Sequence, residues 1–328
     1  MGVPRNGNGL LPLLTGADGC RLLAAPGWLF GRMPRMSENQ NPLLINHENP
    51  FRSLPLTLQA KIALCEEHLQ GLGSVVVAFS AGVDSTFLLA MAVRVLGPKK
   101  VLAGIGISAS LPQRERQSAR DLAAQIGAKL VEIETHELDN AKYAANPSDR
   151  CFFCKSDLFT RLKELAASRG LARVICGANA DDTGDFRPGL RAGSELGVMN
   201  PLMDSGLAKD EIRQASAALG LPTWDKPAMA CLASRVPYGQ PITEGKLARI
   251  ERAEYVLRDL GFSQCRVRDH ETIARIEVPA GEVDKIAQLR DRIVPALKSL
   301  GYNYVTLDLQ GFRSGSMNET LSKKTTAK

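Results

Sequence analysis

The sequence predicts an α/β protein, a doubly wound parallel sheet followed by a smaller α+β domain. Apolar runs of strand length alternate with helical segments between residues 56 and 219, and such alternation is typical of βαβ units. The first run, at residues 75–79, is apolar at every position, as expected for a strand buried on both faces. Near residue 240 the pattern changes to charged, alternating segments, which indicates a second domain.

The elements of the first domain follow in chain order. We expect helices at 56–71, from 86, at 112–126, 154–169 and 210–219, with strands at 75–79, 101–107, 129–134 and 172–178. Gly220 and Pro222 end the helix at 210–219. In the second domain we expect helices at 244–260 and 281–300 and strands at 264–268, 274–278 and 304–309, the first two strands half-exposed. The predicted boundaries are a disordered or over-extended arm at 1–50, domains at 51–238 and 239–318, and a flexible tail at 319–328.

Composition is that of a soluble globular protein, with 44% hydrophobic and 23% charged residues among 328. The net charge of +6 comes mainly from the ends, because residues 1–36 contribute +3 and residues 319–328 contribute +2. The remaining +1 disfavours a nucleic-acid partner, and no run is long enough to span a membrane. Seven cysteines without a secretory signal favour a reducing, cytoplasmic setting.

A short, hydroxyl-rich loop follows the first strand and precedes a helix. Ser80, Gly82, Asp84 and Ser85 lie in this loop, where backbone N–H groups and the helix dipole favour a phosphate. No lysine follows the glycine as in a Walker loop, so we expect ATP to be cut between its α and β phosphates. The alternative is an ordinary strand and turn with a capped helix. Ala81 is tolerable in this loop if its φ is negative and is disfavoured if the loop needs the left-handed region there.

Three cysteines form the second candidate cluster. Cys151 and Cys154 make a CxxC at the start of a predicted helix, where the helix N-terminus, Arg150 and Lys155 should lower the thiol pKa values. Cys231 lies in a loop rich in Pro and basic residues. Together the three thiols could hold a [4Fe-4S] cluster with one open iron. A redox pair with a persulfide carrier, a zinc site with a fourth ligand and a set of incidental thiols stay open as alternatives.

Acidic and basic side chains supply further candidates. Asp181 and Asp182 follow the predicted strand at 172–178, at the sheet edge where ligands of open α/β folds bind, and they could place Mg²⁺ on ATP or belong to a solvated turn. Arg187 could contact a phosphate or carboxylate. Arg266 and Arg268, two apart on one strand face, could hold an anion or form a charged outer face of the sheet.

Several segments resemble one family. The loop SAGVDS resembles the SGGxDS loop of the PP-loop ATP pyrophosphatases, with Ala81 in place of a glycine. NPSDRCFFCK, GANADDTGDFRPG, LGLPTWDKPAMACLASRVPYG and GFRSGSMNE are similar to LarE, the ATP-dependent sulfur transferases of nickel-pincer nucleotide synthesis. The resemblance spans residues 56 to 319.

The resemblance implies a reaction and its residues. ATP adenylates a carboxylate of pyridinium-3,5-biscarboxylic acid mononucleotide, and a protein-derived sulfur then displaces AMP to form a thiocarboxylate. Ser80, Gly82, Asp84 and Ser85 would bind ATP with Mg²⁺, and Cys231 would attack the acyl-adenylate. Arg266, Arg268 and Glu277 would hold the nucleotide substrate or a metal. Arg187 and Arg235 are further candidates for binding the substrate.

The resemblance implies two possible sources of the transferred sulfur. Family members with all three cysteines are thought to carry a [4Fe-4S] cluster that holds sulfide from a donor, and those with one give up the cysteine's own sulfur. The presence of Cys151 and Cys154 beside Cys231 favours the cluster. A closed homo-oligomer is implied too. The alternatives are a PP-loop tRNA thiolase and a non-catalytic ATP-binding sensor domain.

Overall fold

The structure is a computed structural model that describes residues 49–184, 188–228, 230–313 and 315–319. These residues form two separate β-sheets with helices packed against them. The predictions for the N-terminal arm and the last residues of the tail lie outside these ranges. The boundary expected between residues 238 and 239 stays a prediction. No helix in the described ranges is long and apolar enough to cross a membrane.

The first sheet is parallel throughout. It contains β1 (Val75–Ala78), β2 (Val101–Ile107), β3 (Lys129–Glu134) and β4 (Arg173–Cys176), in the order β3-β2-β1-β4. All four residues of β1 are buried. Val75 and Val77 enter one hydrophobic core, whereas Val76 and Ala78 enter another on the opposite face. This division confirms the prediction of a sheet covered on both faces.

The helices of the described chain cover these two faces and the second sheet. Their bounds are α1 (Leu56–Leu72), α2 (Val83–Leu96), α3 (Gln113–Ile126), α4 (Ala141–Ala144), α5 (Arg150–Ser168), α6 (Pro188–Glu195), α7 (Pro201–Asp204), α8 (Lys209–Ala218), α9 (Glu244–Asp259), α10 (Val283–Gln288) and α11 (Arg290–Ser299). Residues of α1, α2, α3 and α8 pack in the core of Val75 and Val77, and residues of α5 and α6 pack in the other.

Helix boundaries differ from the sequence predictions at functionally important points. Helix α2 begins at Val83 and α5 at Arg150, three and four residues earlier than expected. The CxxC therefore lies inside the first turns of α5. The helix expected at 281–300 is two helices, because the backbone leaves helical geometry at Leu289, with φ −93° and ψ 12°. Helices α4, α6 and α7 were not predicted, since segments this short carry little periodic pattern.

The second sheet contains β5 (Arg266–His270), β6 (Ile273–Glu277) and β7 (Tyr304–Leu307) in the order β5-β6-β7. Strands β5 and β6 are antiparallel, and β6 and β7 are parallel. A core that includes Phe262, Val267 and Leu297 joins this sheet to α9 and α11. The prediction of a half-exposed first strand was wrong, because β5 is buried at its first four residues.

Candidate functional site

The loop after β1 and the first turn of α2 bring the predicted ATP-binding residues together. The backbone N–H of Ser80 donates to Ser85 Oγ at 3.2 Å, and Ser85 Oγ donates to the Gly82 carbonyl at 3.2 Å. The first N–H groups of a helix lack intrahelical acceptors and carry roughly half a positive charge. The loop and the start of α2 therefore form an anion site of the kind that holds phosphates.

Ala81 adopts the conformation that the sequence left in doubt. Its φ is +55°, in the left-handed region, and its side chain is fully buried. This conformation is sterically unfavourable for a residue other than glycine. Contacts with the rest of the protein must therefore stabilise the loop in it. One of its contacts is Lys226, whose Nζ donates to the Ala81 carbonyl at 3.0 Å.

Gly177 brings the strand end of β4 against the loop. A Cβ on this glycine would lie 2.9 Å from the backbone nitrogen of Ser85 and 3.0 Å from the carbonyl carbon of Asp84. No side chain fits at such distances from backbone atoms. The absence of a side chain at residue 177 is therefore what lets the segment after β4 pack on the start of α2.

Lys209 is a functional candidate that the sequence reasoning missed. Its Nζ donates to Asp84 Oδ2 at 2.6 Å, and its backbone N–H donates to Asp181 Oδ2 at 2.8 Å. Lys209 and Asp84 are 125 residues apart in sequence, and no spacing pattern relates them. A Walker loop contains its lysine within the loop sequence. Here the fold brings Lys209, from a distant segment, to the start of α2.

Asp84 and Asp182 are acidic residues that could bind Mg²⁺ at this site. Asp84 Oδ1 is buried and has no hydrogen-bond partner among the described residues, and an oxygen of this kind suits a hard cation. Asp182 is buried and accepts from the backbone N–H of Asn179 at 3.0 Å, so it also closes a turn. No assembled group of three or more His, Cys, Asp or Glu ligands occurs in the described part of the chain. Asp84 is thus the residue whose chemistry fits the ion best.

The structure brings the three candidate cysteines near one another. Cys151 and Cys231 are exposed, Cys154 is half-buried, and none of them is in a disulfide. Cys231 is near enough to Cys151 and Cys154 that a negative charge on it would help to raise the pKa of both thiols. The donor chemistry fits an iron–sulfur cluster, although these residues do not form a ready-made metal site.

Desolvation by the surrounding protein reverses the expected thiol chemistry of the CxxC, even though Cys151 keeps part of its surface in contact with solvent. Desolvation is the largest effect on both cysteines and raises the pKa of Cys151 and the pKa of Cys154. Arg150 and Lys155 act to lower the pKa of Cys151, and the buried carboxylate of Glu137 raises that of Cys154 further. The prediction of lowered pKa values for this pair was therefore wrong, because loss of water outweighs the neighbouring positive charges.

Asn146 joins the start of α5 to the segment after Cys231. This residue is fully buried, and its Nδ2 donates to the carbonyls of Val236, Pro237 and Gln240 at 3.2, 2.8 and 3.0 Å. Its Oδ1 accepts from Arg150 Nη1 at 2.8 Å. A single side chain thus holds the CxxC helix and the Cys231 segment together.

The predicted substrate arginines contact the segment that carries Cys231. Arg235 is fully buried, pairs with Glu254 at 2.7 Å and donates to the Cys231 carbonyl at 3.0 Å. Arg266 Nη2 donates to the Ala228 carbonyl at 2.8 Å. Their roles in substrate binding stay predictions, and these contacts give both of them a structural task.

Arg268 retains a free donor. Its Nη1 donates to the Ser234 carbonyl at 2.8 Å, and its Nη2 donates to Glu277 Oε2 at 2.7 Å and to Ser316 Oγ at 3.1 Å. Arg268 Nε is buried without a partner among the described residues, so a bound anion could accept from it. Arg187 lies outside the described residues, and its predicted role stays a prediction.

The fold defines a class, an α/β protein whose parallel sheet and helices are those of an NAD synthase-like fold. Residues 59–167, which include β1, the loop and the CxxC, match the NAD synthase family. The chain is also similar to part of the glutamine-hydrolysing GMP synthase of Methanosphaerula palustris. The two are 29% identical over 160 residues, which make up 45% of this chain and 51% of the matched synthase chain.

Two other relatives cover far more of the chain. An uncharacterised protein of Synechocystis is 42% identical over 268 residues, which make up 81% of this chain and 100% of that protein. The pyridinium-3,5-bisthiocarboxylic acid mononucleotide synthase of Lactiplantibacillus plantarum is 40% identical over 267 residues, 81% of this chain and 97% of the synthase. The chain belongs to this synthase family, the LarE family.

Proposed function

We propose that this protein is an ATP-dependent sulfur transferase that converts the carboxylates of pyridinium-3,5-biscarboxylic acid mononucleotide to thiocarboxylates. One observation carries the proposal. An exposed cysteine, Cys231, lies on a segment that is hydrogen-bonded to the phosphate-binding loop through Lys226 and to the segment after β2 through the Leu232 N–H and the Ser110 carbonyl. A nucleophile beside an ATP site suits activation of a carboxylate followed by sulfur transfer.

The first step is adenylation. A carboxylate oxygen of the substrate attacks the α phosphorus of ATP, the bond to the β phosphate breaks, and pyrophosphate leaves. The N–H groups at the start of α2 and the hydroxyl of Ser80 would hold the phosphates. Lys209 would offset the charge of the departing pyrophosphate, and Asp84 would hold Mg²⁺ through its free Oδ1.

The second step is thioacylation. A thiolate attacks the carbonyl carbon of the acyl-adenylate, and AMP leaves with the bonding electron pair. If Cys231 is the sulfur donor, the resulting thioester loses its Cα proton, the Cβ–S bond breaks, and the products are a thiocarboxylate and dehydroalanine. Arg268 is suited to orient the anionic substrate, because its Nε is a buried donor without a partner in the described residues.

Cys151, Cys154 and Cys231 would hold a [4Fe-4S] cluster if the protein uses one. Such a cluster, with one iron free of protein ligands, supplies a sulfide for transfer and spares the cysteine. The nearness of the three thiols supports this route.

The test combines product analysis with intact mass. The protein is purified anaerobically, assayed for iron and acid-labile sulfide, and incubated with ATP, Mg²⁺ and the biscarboxylic mononucleotide. We expect AMP, pyrophosphate and thiocarboxylate, with about four irons per chain and an unchanged protein mass. A protein without iron that loses the mass of one H₂S at Cys231 would identify the sacrificial route.

Two variants separate the steps. Cys231→Ser should still form AMP and pyrophosphate but no thiocarboxylate, and Asp84→Asn should form none of these products. Cys176→Ser is the matched control, since Cys176 is a half-buried thiol that donates to Asn200 Oδ1 at 2.9 Å. Thiocarboxylate formation by Cys231→Ser would overturn the proposed role of this cysteine.

A further inference from the structure

Lys226 connects the segment that bears Cys231 to the phosphate-binding loop. Its Nζ donates to the Ala81 carbonyl at 3.0 Å and pairs with Glu115 Oε2 at 2.8 Å. The side chain of Lys226 is only 20% exposed, and that of Glu115 is 14% exposed. The ammonium group is therefore held on the loop by two acceptors from different elements.

A second attachment holds the other end of the same segment. The backbone N–H of Leu232 donates to the Ser110 carbonyl at 2.9 Å, and Ser110 follows β2. Strands β1 and β2 are neighbours in the sheet. The segment that bears Cys231 is thus hydrogen-bonded at two places along the carboxyl edge of one sheet. One is the loop after β1, and the other is the turn after β2.

The chain between the two points is short. Cys231 is five positions after Lys226, and five residue steps span at most about 17 Å when fully extended. Arg266 and Arg235 fix carbonyls of Ala228 and Ala230 within this span, at 2.8 and 2.6 Å. The Cys231 segment is therefore restrained at Lys226, at these two carbonyls and at Leu232.

We propose that Lys226 is a positioning residue that sets the exposure of Cys231 according to the phosphate occupancy of the loop. The bound phosphates of ATP offer the ammonium group a stronger acceptor than the Ala81 carbonyl. Lys226 then leaves the Ala81 carbonyl, and the Cys231 segment loses one of its attachments to the loop. This inference rests on the proposed function, because it treats Cys231 as the sulfur-transfer residue.

The test measures the alkylation of Cys231 by iodoacetamide, followed by mass spectrometry of its peptide. The limiting rate at high pH is taken from a pH–rate profile, so that differences in thiol ionisation are removed. In the wild-type chain, saturating α,β-methylene ATP should raise this rate about fivefold or more, because the segment loses the contact between Lys226 and Ala81. Lys226→Gln should lose the nucleotide effect, and Lys226→Arg should restore it.

The apo protein provides a readout that needs no nucleotide. Without the Lys226 contacts the segment is less restrained, so Cys231 in Lys226→Gln should be alkylated about fivefold faster than in the wild type. Lys163→Gln is the matched control, since Lys163 Nζ also donates to a carbonyl of another segment, that of Leu196, at 2.9 Å. Its rates should equal those of the wild type.

Two results would overturn the inference. One is an equal alkylation rate of Cys231 in the wild type and Lys226→Gln without nucleotide. The other is a nucleotide effect that persists in Lys226→Gln at saturation. Neither readout requires sulfur transfer, so a chain that forms no thiocarboxylate can still pass both tests, and failure of the proposed function remains distinguishable.

Discussion

Ala81 has the most unusual backbone conformation in the candidate site. With φ at +55° and its side chain fully buried, it bears a steric cost of about 1–2 kcal/mol. A glycine would remove this cost. It would also lose about 0.8 kcal/mol of methyl burial and gain flexibility in the unfolded chain, so these effects nearly cancel.

We therefore expect Ala81→Gly to leave the free energy of unfolding within about 1 kcal/mol of the wild type. Ala81→Val should lower it by about 2–4 kcal/mol, because a β-branched side chain is both overpacked and excluded from the left-handed region. Urea denaturation followed by circular dichroism measures both values. Equal stability of the valine variant and the wild type would show that the loop tolerates a negative φ.

Burial changes the role that can be assigned to Arg235. A charged loop residue near a candidate nucleophile is readily interpreted as a substrate ligand. In the structure its guanidinium group is fully buried, pairs with Glu254 and donates to the carbonyls of Ala230 and Cys231. These contacts make the shape of the Cys231 segment depend on a buried ion pair.

The packing of β4 against α2 depends on Gly177. We expect Gly177→Ala to lower the free energy of unfolding by about 1–3 kcal/mol, because the new Cβ would press on the backbone of Asp84 and Ser85. Nucleotide affinity should fall as well, since the phosphate-binding loop must shift. Isothermal titration calorimetry with an ATP analogue measures this second effect.

Gly71→Ala is the control for that substitution. Gly71 lies in α1, and a Cβ there would meet no atom within 4 Å. Because alanine favours a helix over glycine by about 1 kcal/mol, this variant should be slightly more stable and bind nucleotide normally. Unchanged nucleotide affinity in the Gly177→Ala variant would contradict the claim that the position of the phosphate-binding loop depends on Gly177.

The connection between α5 and the Cys231 segment depends on Asn146. Asn146→Ala should lower the free energy of unfolding by about 3 kcal/mol, since it leaves buried carbonyls unpaired and places an alanine at a φ of +56°. Thermal unfolding provides the measurement. Asn140→Ala is the control, because Asn140 is exposed and only caps α4, and a loss of about 1 kcal/mol is expected. Equal losses for the two variants would contradict the role assigned to Asn146.

Stability of the whole chain should fall at alkaline pH because each major core contains a buried thiol. Burial raises the pKa of Cys65 to about 12 and the pKa of Cys265 to about 11. Both thiols stay protonated in the folded chain, while in the unfolded chain they ionise near pH 8.5. The unfolded state therefore binds fewer protons above that pH, and the folded state loses stability as pH rises.

The double variant Cys65→Ala, Cys265→Ala tests this effect. Each thiol should account for about 2 kcal/mol of the loss between about pH 8 and about pH 10, so the variant should lose about 4 kcal/mol less than the wild type over that interval. Urea denaturation at the two pH values gives the comparison. An identical pH dependence in both proteins would contradict buried, protonated thiols.

Local pattern was sufficient for much of the architecture. The bounds of β2 and β3 agree with the prediction, because apolar runs closed by turn residues leave little choice of structure. The predicted ATP-binding residues are also close in sequence, so Ser80 and Ser85 necessarily lie near each other, the first in the loop and the second in the first turn of α2. The helix starts at Val83 and Arg150 were missed, since helix ends depend on capping and on neighbouring segments.

The sequence by itself determined the alternation of strands and helices, the phosphate-binding loop, the three cysteines and the family. Only the tertiary structure brought Lys209 to Asp84 and Lys226 to Ala81, pairs that are 125 and 145 residues apart. It also turned Arg235 inward and raised the pKa values of the CxxC thiols. The physical reason is that burial and ionic pairing arise from the whole surroundings of a side chain, and these surroundings exist only after distant segments have packed.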